Sequence, residues 1–353
     1  MRGALIFFAT CAAGLGASAG GHPATADDIS FAGKTVTMTI GNGAGSGIDI
    51  YGRVLGQHLA QRLPGRPTLV VLNQPGAGGL IAYNNWVKRA KPDGLHVTVG
   101  GLTEIDPASL LRGNAEYNPA TFKYVGGLAA PSQALFVNKD AVARLHDKSA
   151  PPVVMGAVST AMRGGYFQAL WGVAFLGWNV RWVNAYHDTP GLRQALERGE
   201  VDMSSFGSVR DIENLLASGK FVVASQSGAV TGGKARPRRE LGDAPVFSEM
   251  VQGRIQESLA QRAYDYGENI SQVGRWLALP PETPDAIVAV YLKAYEATVA
   301  DPEYSAAVAK TDPGSPQVSK ADLEKLVRDL SGLSPDVIDY IQRELRRQGF
   351  TVE

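Results

Sequence analysis

The chain has 353 residues, with 34 Lys+Arg against 34 Asp+Glu, so its formal net charge at neutral pH is zero. This balance offers no basic surface for a phosphate backbone and argues against a nucleic-acid partner. The 44% hydrophobic and 19% charged residues exclude a disordered chain, and the length suffices for about two domains with proper cores.

The N-terminal stretch has the pattern of a secretory signal peptide rather than of a buried helix. Arg2 supplies a positive charge, Ala4–Leu15 is apolar, and the small-residue triplets Ala17–Ala19 and Ala24–Ala26 are candidate cleavage sites. The apolar run is shorter than the ~20 residues that span a bilayer. Cleavage also removes Cys11, the single cysteine, so we expect a mature protein outside the cytoplasm without disulfide or thiolate chemistry.

Strand and helix patterns alternate after this stretch. The predicted strands are Lys34–Ile40, Thr68–Leu72 and His96–Val99, and the predicted helices between them are Asp49–Arg62 and Leu80–Ala90. This order predicts a parallel sheet with right-handed crossovers. Two apolar runs then flank Pro131, within Tyr124–Val137.

A second series of strands and helices indicates a domain of its own. Its predicted strands are Pro152–Met155, Val180–Asn184 and Phe221–Ser225, and its predicted helices are Gly164–Phe175 and Gly191–Glu197. The charged segment Lys234–Glu240 is predicted to be a solvated loop, with a docking patch as the alternative.

The C-terminal part has helical patterns with start signals. Thr283 and Pro284 are predicted to be the N-cap and first residue of a helix that continues over Asp285–Val299. Ser319 and Asp322 resemble a capping box before Leu323–Leu330, and Ser334-Pro335 precedes a predicted helix over Asp336–Arg347.

Two glycine-rich segments, Gly41–Asp49 and Asn73–Gly79, each lie between a predicted strand and a predicted helix. Glycine lets backbone N–H groups approach a ligand, and a helix start favours an anion. The carboxyl ends of parallel strands share one edge, where ligands of such sheets bind. Neither segment has a nucleotide-binding G-x-G-x-x-G or G-x-x-x-x-G-K pattern, so the pair favours a small anion, with plain structural turns as the alternative.

No catalytic motif stands out. The sequence contains neither G-x-S-x-G nor H-E-x-x-H, and the histidines after the signal peptide lack metal-ligand spacing. We therefore expect a protein that is not an enzyme and that binds no metal and no cofactor.

The segments Gly45–Arg53, Asn73–Gly79 and Ala90–Gly94 resemble the substrate-binding receptors of tripartite tricarboxylate transporters, the Bug-type periplasmic proteins. The resemblance continues in register over essentially the whole mature chain, through Leu192–Asp202, Gly219–Lys220, Leu241–Glu249 and Pro280–Pro284. It implies an α/β fold like that of type II periplasmic binding proteins, in which two α/β domains are joined by a double crossover hinge.

This resemblance also implies a domain plan and a function. The expected parts are a signal peptide over 1–26, a first domain over 27–128, a second domain over 129–226, and a return segment over 227–353 that completes the first domain. The implied protein is a monomeric periplasmic receptor that captures a small organic carboxylate in the cleft and delivers it to membrane permease subunits. The alternative is a sensor subunit that presents its ligand to a two-component histidine kinase.

In Bug-type receptors the two glycine-rich loops hold one ligand carboxylate, largely through backbone amides and ordered water. The matching positions are Ala44, Gly45, Ser46, Gly47 and Asp49 in the first loop, and Pro75, Gly76, Ala77, Gly78 and Gly79 in the second. The same edge is expected to carry Thr103, and the second domain to contribute Ser159, Thr160, Arg163, Tyr186, Gly207 and Ser208.

Several of these positions have a second interpretation or depart from the family pattern. Asp49 has the alternative role of stabilising the first helical turn, Arg163 of a surface charge, and Tyr186 of a core residue. Arg163 is expected to pair with a second anionic group of the ligand. Phe206-Gly207 stands where many relatives have an acidic and an amide residue, which leaves the specificity of the far end of the cleft open.

Export gives the first prediction. Because two cleavage triplets follow the apolar run, we expect the mature chain to begin at Gly20 or Asp27. Intact-mass measurement of the periplasmic protein distinguishes the two sites, and a full-length chain confined to the cytoplasm would contradict the predicted export.

Overall fold

The computed structural model describes residues 28–107, 115–157, 165–184, 186, 189–231, 234–311 and 315–350. The predicted signal peptide, with both cleavage triplets, lies outside these residues. The strands are β1 (Thr35–Ile40), β2 (Thr68–Asn73), β3 (His96–Gly100), β4 (Lys123–Ala129), β5 (Ala134–Asn138), β6 (Val153–Gly156), β7 (Val180–Val183), β8 (Met203–Phe206), β9 (Phe221–Gln226), β10 (Ala229–Thr231), β11 (Lys234–Arg236), β12 (Val273–Leu279) and β13 (Gln317–Val318).

The α-helices alternate with these strands and then dominate the C-terminal part. They are α1 (Gly47–Ala60), α2 (Leu80–Arg89), α3 (Val142–Leu145), α4 (Gly165–Phe175), α5 (Thr189–Glu197), α6 (Val209–Ala217), α7 (Phe247–Val251), α8 (Ser258–Ile270), α9 (Asp285–Val299), α10 (Pro302–Val308), α11 (Lys320–Ser331) and α12 (Pro335–Arg347). Within the described residues, none of these helices is long and apolar enough to cross a membrane.

The first sheet has the strand order β13-β4-β12-β3-β1-β2. β1 pairs in parallel with β2 and β3, as the sequence predicted. β12 lies between β3 and β4 and is antiparallel to both. The carboxyl ends of β1, β2 and β3, the first two of which lead into the glycine-rich segments, therefore share one edge of this sheet.

The second sheet repeats this plan, with the strand order β7-β6-β8-β5-β9. β6 is parallel to β7 and β8, and β5 is antiparallel to β8 and β9. The chain passes from the first sheet to the second between β4 and β5 and returns before β12. The two passages lie side by side, because the Ala130 amide donates to the Gln272 carbonyl at 3.0 Å. The predicted two-domain α/β fold with a double crossover is confirmed.

Of the residues predicted to begin helices, two serines are confirmed as N-caps and one threonine is not. Ser319 is the N-cap of α11, where its hydroxyl accepts from the Asp322 amide at 3.1 Å, and Ser334 is the N-cap of α12. The predicted cap at Thr283 is wrong: Pro284 is the N-cap of α9, and the buried Thr283 hydroxyl donates to the Pro280 carbonyl at 2.9 Å.

The prediction of a solvated loop over Lys234–Glu240 is also wrong. Lys234–Arg236 forms β11, which pairs antiparallel with β10, and Arg238 is buried. The charged residue pattern did not indicate this strand, because a short hairpin is held by hydrogen bonds between its backbones and does not need an apolar side-chain pattern. The sequence patterns also missed β8 and β12, whose partners in the sheets are distant in the chain.

An aromatic cluster underlies the edge of the first sheet. Trp276 on β12 is buried, lies 5.7 Å from Tyr83 and 5.6 Å from Tyr124 between ring centroids, and donates from Nε1 to the Gly101 carbonyl at 2.6 Å. Gly100, which pairs with Trp276, has no room for a side chain, because a Cβ there would lie 2.2 Å from Cζ2 of the indole.

This close approach gives the second prediction. Gly100→Ala should lower the free energy of unfolding by about 1–3 kcal/mol, since the added methyl group overpacks the core against Trp276. Gly332→Ala is the matched control, because a Cβ at that position meets its nearest atoms at an ordinary 3.7 Å. Urea unfolding of both variants measures the difference, and an unchanged midpoint for Gly100→Ala would show that the indole moves freely.

Candidate functional site

Asp49 holds the first glycine-rich loop in shape. The side chain is buried, and its Oδ2 accepts from the Gly45 amide at 2.8 Å and from Arg53 Nε at 3.0 Å. Ser46 caps α1, where its hydroxyl accepts from the Asp49 amide at 3.2 Å. The carboxylate of Asp49 thus points into its own loop, which favours the helix-stabilising interpretation of this residue over ligand contact.

Asn73 ties this loop to the neighbouring strand. From the end of β2, its Nδ2 donates to Asp49 Oδ1 at 2.8 Å and to the Asn42 carbonyl at 3.0 Å. Its Oδ1 accepts from Arg53 Nη2 at 2.9 Å. Burial by itself raises the pKa of Asp49, but hydrogen bonds from Arg53, Gly45 and Asn73 outweigh it and hold this pKa below its ordinary value.

The second loop has a run of backbone conformations that suits glycine. The φ angles are 148° at Gly76, 47° at Ala77, 64° at Gly78 and 96° at Gly79. Positive φ values of this kind strain residues that carry a Cβ. The sequence supplies glycine at three of the four positions, and Ala77 adopts the conformation in spite of its methyl group.

The loop amides divide into two groups. Those of Gly45, Ser46 and Gly79 are used within the loops, since they donate to Asp49 Oδ2, the Gly43 carbonyl and the Gly76 carbonyl. Of the predicted ligand-binding positions in these two loops, those whose amides donate no hydrogen bond to the described part of the protein are Ala44, Gly47, Gly76, Ala77 and Gly78. These amides are the donors that the two loops can offer to an external acceptor.

The two loops touch through their backbones. A Cβ on Gly41 would lie 2.7 Å from the Cα of Gly79 and 2.7 Å from Cε2 of Tyr83, which packs beneath both loops. The Tyr83 hydroxyl donates to the Val99 carbonyl at 2.8 Å and so fixes the ring on the sheet. This contact brings the two predicted segments together at one edge.

The segment that follows β3 and contains Thr103, here called the third loop, lies at the same edge, as the sequence predicted. The Thr103 methyl carbon lies 3.4 Å from the position of a Cβ on Gly78. Its neighbour Glu104 is buried under the second loop, and Glu104 Oε2 accepts from the Gly101 amide at 2.9 Å. Glycine is required at position 79 because a Cβ there would lie 2.9 Å from Glu104 Oε1.

Sequence reasoning missed Arg275 on β12. Its Nη2 lies 3.0 Å from the position of a Cβ on Gly47, the first residue of α1, and its Nη1 donates to the Gly274 carbonyl at 2.8 Å. A guanidinium group therefore stands beside the first loop. The signal was an arginine within the apolar run of β12, but its location depends on the long-range pairing of β12 with β3.

A cavity of about 480 Å³ lies where the chain passes between the two sheets. Its lining residues are Leu102, Ala130, Pro131, Gln133, Tyr166, Thr189, Ser205, Phe206, Gly207, Ser208, Asp211, Ile270, Ser271, Val273 and Thr311. The predicted residues Gly207 and Ser208 are among them, as is Leu102, the neighbour of Thr103. The cavity is thus bounded by the third loop of the first sheet, by both passages, and by the end of β8.

The lining is largely neutral. Asp211 is the charged side chain among the described lining residues, and it accepts from the Ser208 hydroxyl at 2.6 Å and pairs with Arg193 at 3.3 Å. Gly207 lies against Gln133, since a Cβ at this position would lie 2.2 Å from Gln133 Nε2 and would require that side chain to move. Gln133 and Tyr166 are lining residues that sequence reasoning missed, because their position depends on how the first passage and α4 meet.

The remaining predicted residues lie elsewhere or outside the described chain. Tyr186 packs against a hydrophobic cluster of the second sheet, and burial, together with the nearby Glu200 carboxylate, raises its pKa. It is not among the described residues that line the cavity, which favours its core interpretation. Ser159, Thr160 and Arg163 lie outside the described residues. Within the described part of the chain, no cluster of three or more His, Cys, Asp or Glu side chains is arranged to hold a metal ion.

No protein-family model matches the sequence, and no curated protein matches it. Solved structures do match in fold, and these neighbours include solute-binding proteins of the TctC and Bug types. A TctC solute-binding protein from Polaromonas, solved without ligand, is 17% identical with a TM-score of 0.66, over 87% of this chain and 98% of that one.

Two neighbours were solved with organic acids. MatC from Rhodopseudomonas palustris, with bound malate, is 19% identical with a TM-score of 0.52, over 86% of this chain and 98% of that one. A second R. palustris protein, with adipate, is 17% identical with a TM-score of 0.55, over 89% and 97%. The chain therefore has the two-domain periplasmic binding protein fold of the TctC- and Bug-type solute-binding proteins.

Proposed function

We propose that this protein is an exported, periplasmic solute-binding receptor of the tripartite tricarboxylate type, which captures a small organic acid between its two domains and delivers it to a membrane permease. The observation that carries the proposal is the group of amides without internal partners on two touching loops at the ligand-binding edge of the first sheet. Backbone N–H groups at a helix start provide a favourable site for a carboxylate.

The electrostatics of this edge support an anionic ligand. The first turn of α1 presents the amides of Gly47 and the positive end of the helix dipole, and Arg275 adds a full positive charge beside it. The nearby carboxylate of Asp49 is turned inward and is engaged by Arg53 and Asn73. The ligand's carboxylate is therefore expected to meet hydrogen-bond donors rather than the charge of Asp49.

The cavity supports a ligand that touches both domains. It joins Leu102 of the third loop to Gly207 and Ser208 at the end of β8, and its neutral, partly apolar lining suits the body of an organic acid. Ser159, Thr160 and Arg163 remain proposed contacts of the ligand's far end. The acids found in two structural neighbours, malate and adipate, fit the same proposal. The fold and this lining support the proposal of a binding protein.

A thermal-shift screen of organic acids tests the proposal directly. The mature protein is refolded after removal of any co-purified ligand, then melted with malate, adipate, citrate, benzoate and aspartate. A bound acid at about 100 times its Kd should stabilise the protein by about 2.7 kcal/mol, which corresponds to a rise in Tm of about 5–10 °C. Absence of any shift across dicarboxylates, tricarboxylates, aromatic acids and zwitterions would contradict the receptor function.

The third prediction concerns Gly78. Gly78→Val should abolish the acid-induced rise in Tm, because the side chain covers the donors of the second loop, while the protein still melts cooperatively. Gly33→Val is the matched control: its φ of 67° is close to the 64° of Gly78, so the backbone strain is similar, but a Cβ at Gly33 meets nothing within 4 Å. If Gly78→Val keeps the full shift, the second loop is a structural turn and not a ligand cradle.

The fourth prediction concerns Asp49 and pH. The folded state lowers the pKa of Asp49, so its ionised form stabilises the protein fully above its unfolded pKa of ~4, and this stabilisation is lost as the pH falls through the folded value. Asp49→Asn should therefore lower the free energy of unfolding by about 1–3 kcal/mol at pH 7, with a deficit that shrinks below pH ~4.

Asp322→Asn is the control for this measurement. Asp322 occupies the same position after a serine N-cap as Asp49 does, but it is exposed. Urea unfolding between pH 3 and pH 7 gives the comparison. A deficit of Asp49→Asn that stays constant over this range would mean that the charge of Asp49 does not hold the loop.

A further inference from the structure

Arg238 is buried in a segment whose sequence predicted exposure. Arg238 has only 8% of its surface exposed. Its backbone amide donates to Gln226 Oε1 at 2.8 Å, which anchors the residue at the end of β9. The guanidinium group therefore sits inside the second domain, near the point where the chain leaves β9.

The guanidinium group contacts three separate segments. Its Nε donates to Glu240 Oε1 at 2.8 Å, and Nη2 contacts the same oxygen. Its Nη1 donates to the Ser132 carbonyl at 2.7 Å and to the Gly207 carbonyl at 3.1 Å. One nitrogen thus bridges the first passage between the sheets and the end of β8.

Both bridged carbonyls belong to the wall of the cavity. Gly207 lines the cavity, and Ser132 lies between the lining residues Pro131 and Gln133. Gln133 Oε1 accepts from the Ser205 hydroxyl at 3.1 Å. The segments that carry Gln133 and Ser205 are therefore in contact. The hydrogen bonds from Arg238 Nη1 to the Ser132 and Gly207 carbonyls fix the distance between these two backbone segments.

The first passage is also bonded to the residue that follows β9. The Gln133 amide donates to Ser227 Oγ at 2.9 Å, and the Ser227 amide donates to the Gln133 carbonyl at 2.9 Å. Arg238 is linked to this pair by its hydrogen bond to the carbonyl of Ser132, the residue before Gln133. The amides of Gln133 and Ser227 therefore report on whether the wall keeps its arrangement.

The energetics of charge burial indicate that the positive charge of Arg238 serves the geometry of these hydrogen bonds. A buried charge pair is commonly no more stable than apolar residues of the same volume, because desolvation opposes the Coulomb attraction. An apolar residue at 238 could fill the space, but it could not donate to two carbonyls. A lysine keeps the charge beside Glu240, yet its ammonium group lacks the planar fork that reaches Glu240 and both carbonyls at once.

We propose that Arg238 is a positioning residue for the second-domain half of the ligand site. Its hydrogen bonds to the Gly207 and Ser132 carbonyls fix the positions of Gly207, Ser208 and Gln133 relative to the far end of a bound acid. This role rests on the proposed receptor function for its effect on ligands, but its effect on the wall itself does not.

The test compares Arg238→Lys with Arg262→Lys. Arg262 is a matched control because its guanidinium group also bonds two partners, Ser334 Oγ at 2.9 Å and Asp336 Oδ2 at 2.8 Å, with the side chain about half exposed. Hydrogen–deuterium exchange is first measured without ligand. We expect exchange at Gln133 and Ser227 to become at least about tenfold faster in Arg238→Lys and to stay unchanged in Arg262→Lys.

Calorimetry with malate and adipate then measures selectivity. Because the two acids differ in length and polarity, a shifted wall should change the ratio of their Kd values by about threefold or more in Arg238→Lys, whereas a loss of overall stability would weaken both alike. Unchanged exchange at Gln133 and Ser227 in a folded Arg238→Lys protein, or an unchanged Kd ratio, would overturn the proposal. Wild-type protein that binds neither acid would count against the receptor function, while the exchange measurement still decides the role of Arg238.

Discussion

The contact between two backbone segments, at Gly41 and Gly79, is the constraint on which the rest of the site depends. Side chains are excluded at both positions, since a Cβ on Gly41 would meet Gly79 and Tyr83, and a Cβ on Gly79 would meet Glu104. The close approach places the start of the loop after β1 against the N-cap of α2, and both glycines pack on Tyr83. Tyr83 and its neighbour Trp276 are bonded to backbone carbonyls of Val99 and Gly101. In the proposed receptor, this contact lets donors of both loops bind the same carboxylate.

Within this arrangement, hydrogen bonds inside the first loop fix its shape and leave some of its backbone amides without an acceptor in the protein. The Asp49 carboxylate takes the Gly45 amide, and the serine cap takes the Asp49 amide, which fixes the shape of the first loop before any ligand arrives. The neighbouring amides of Ala44 and Gly47 are left for an external acceptor. A site that is already in place loses little conformational entropy on binding, which is how weak individual hydrogen bonds give useful affinity.

How far the sequence predicts this structure depends on the distance over which each signal acts. Serine caps such as Ser319 and the glycine-rich βα loops are local, because a few adjacent residues determine them, and most of the first sheet and its edge followed from such signals. Arg275, Gln133 and Arg238 acquire their roles through strand pairs and passages between residues far apart in the chain. The Thr283 prediction failed for a local reason instead, since the Thr283 hydroxyl donates to the nearby Pro280 carbonyl.

The two halves of the site differ in their chemistry, and this difference bears on how such a receptor selects its ligand. In the proposed receptor, the first-domain half consists of backbone donors, a helix start and Arg275, which would bind a carboxylate regardless of the rest of the ligand. The second-domain half is a largely neutral wall that includes Gln133, Ser205 and Ser208. A ligand favours the closed arrangement only by the additional affinity it gains there. An acid that satisfies the loops but fits the wall poorly would bind without stabilising closure. In the proposed receptor we therefore expect discrimination among acids to depend on the wall and on the residues that position it.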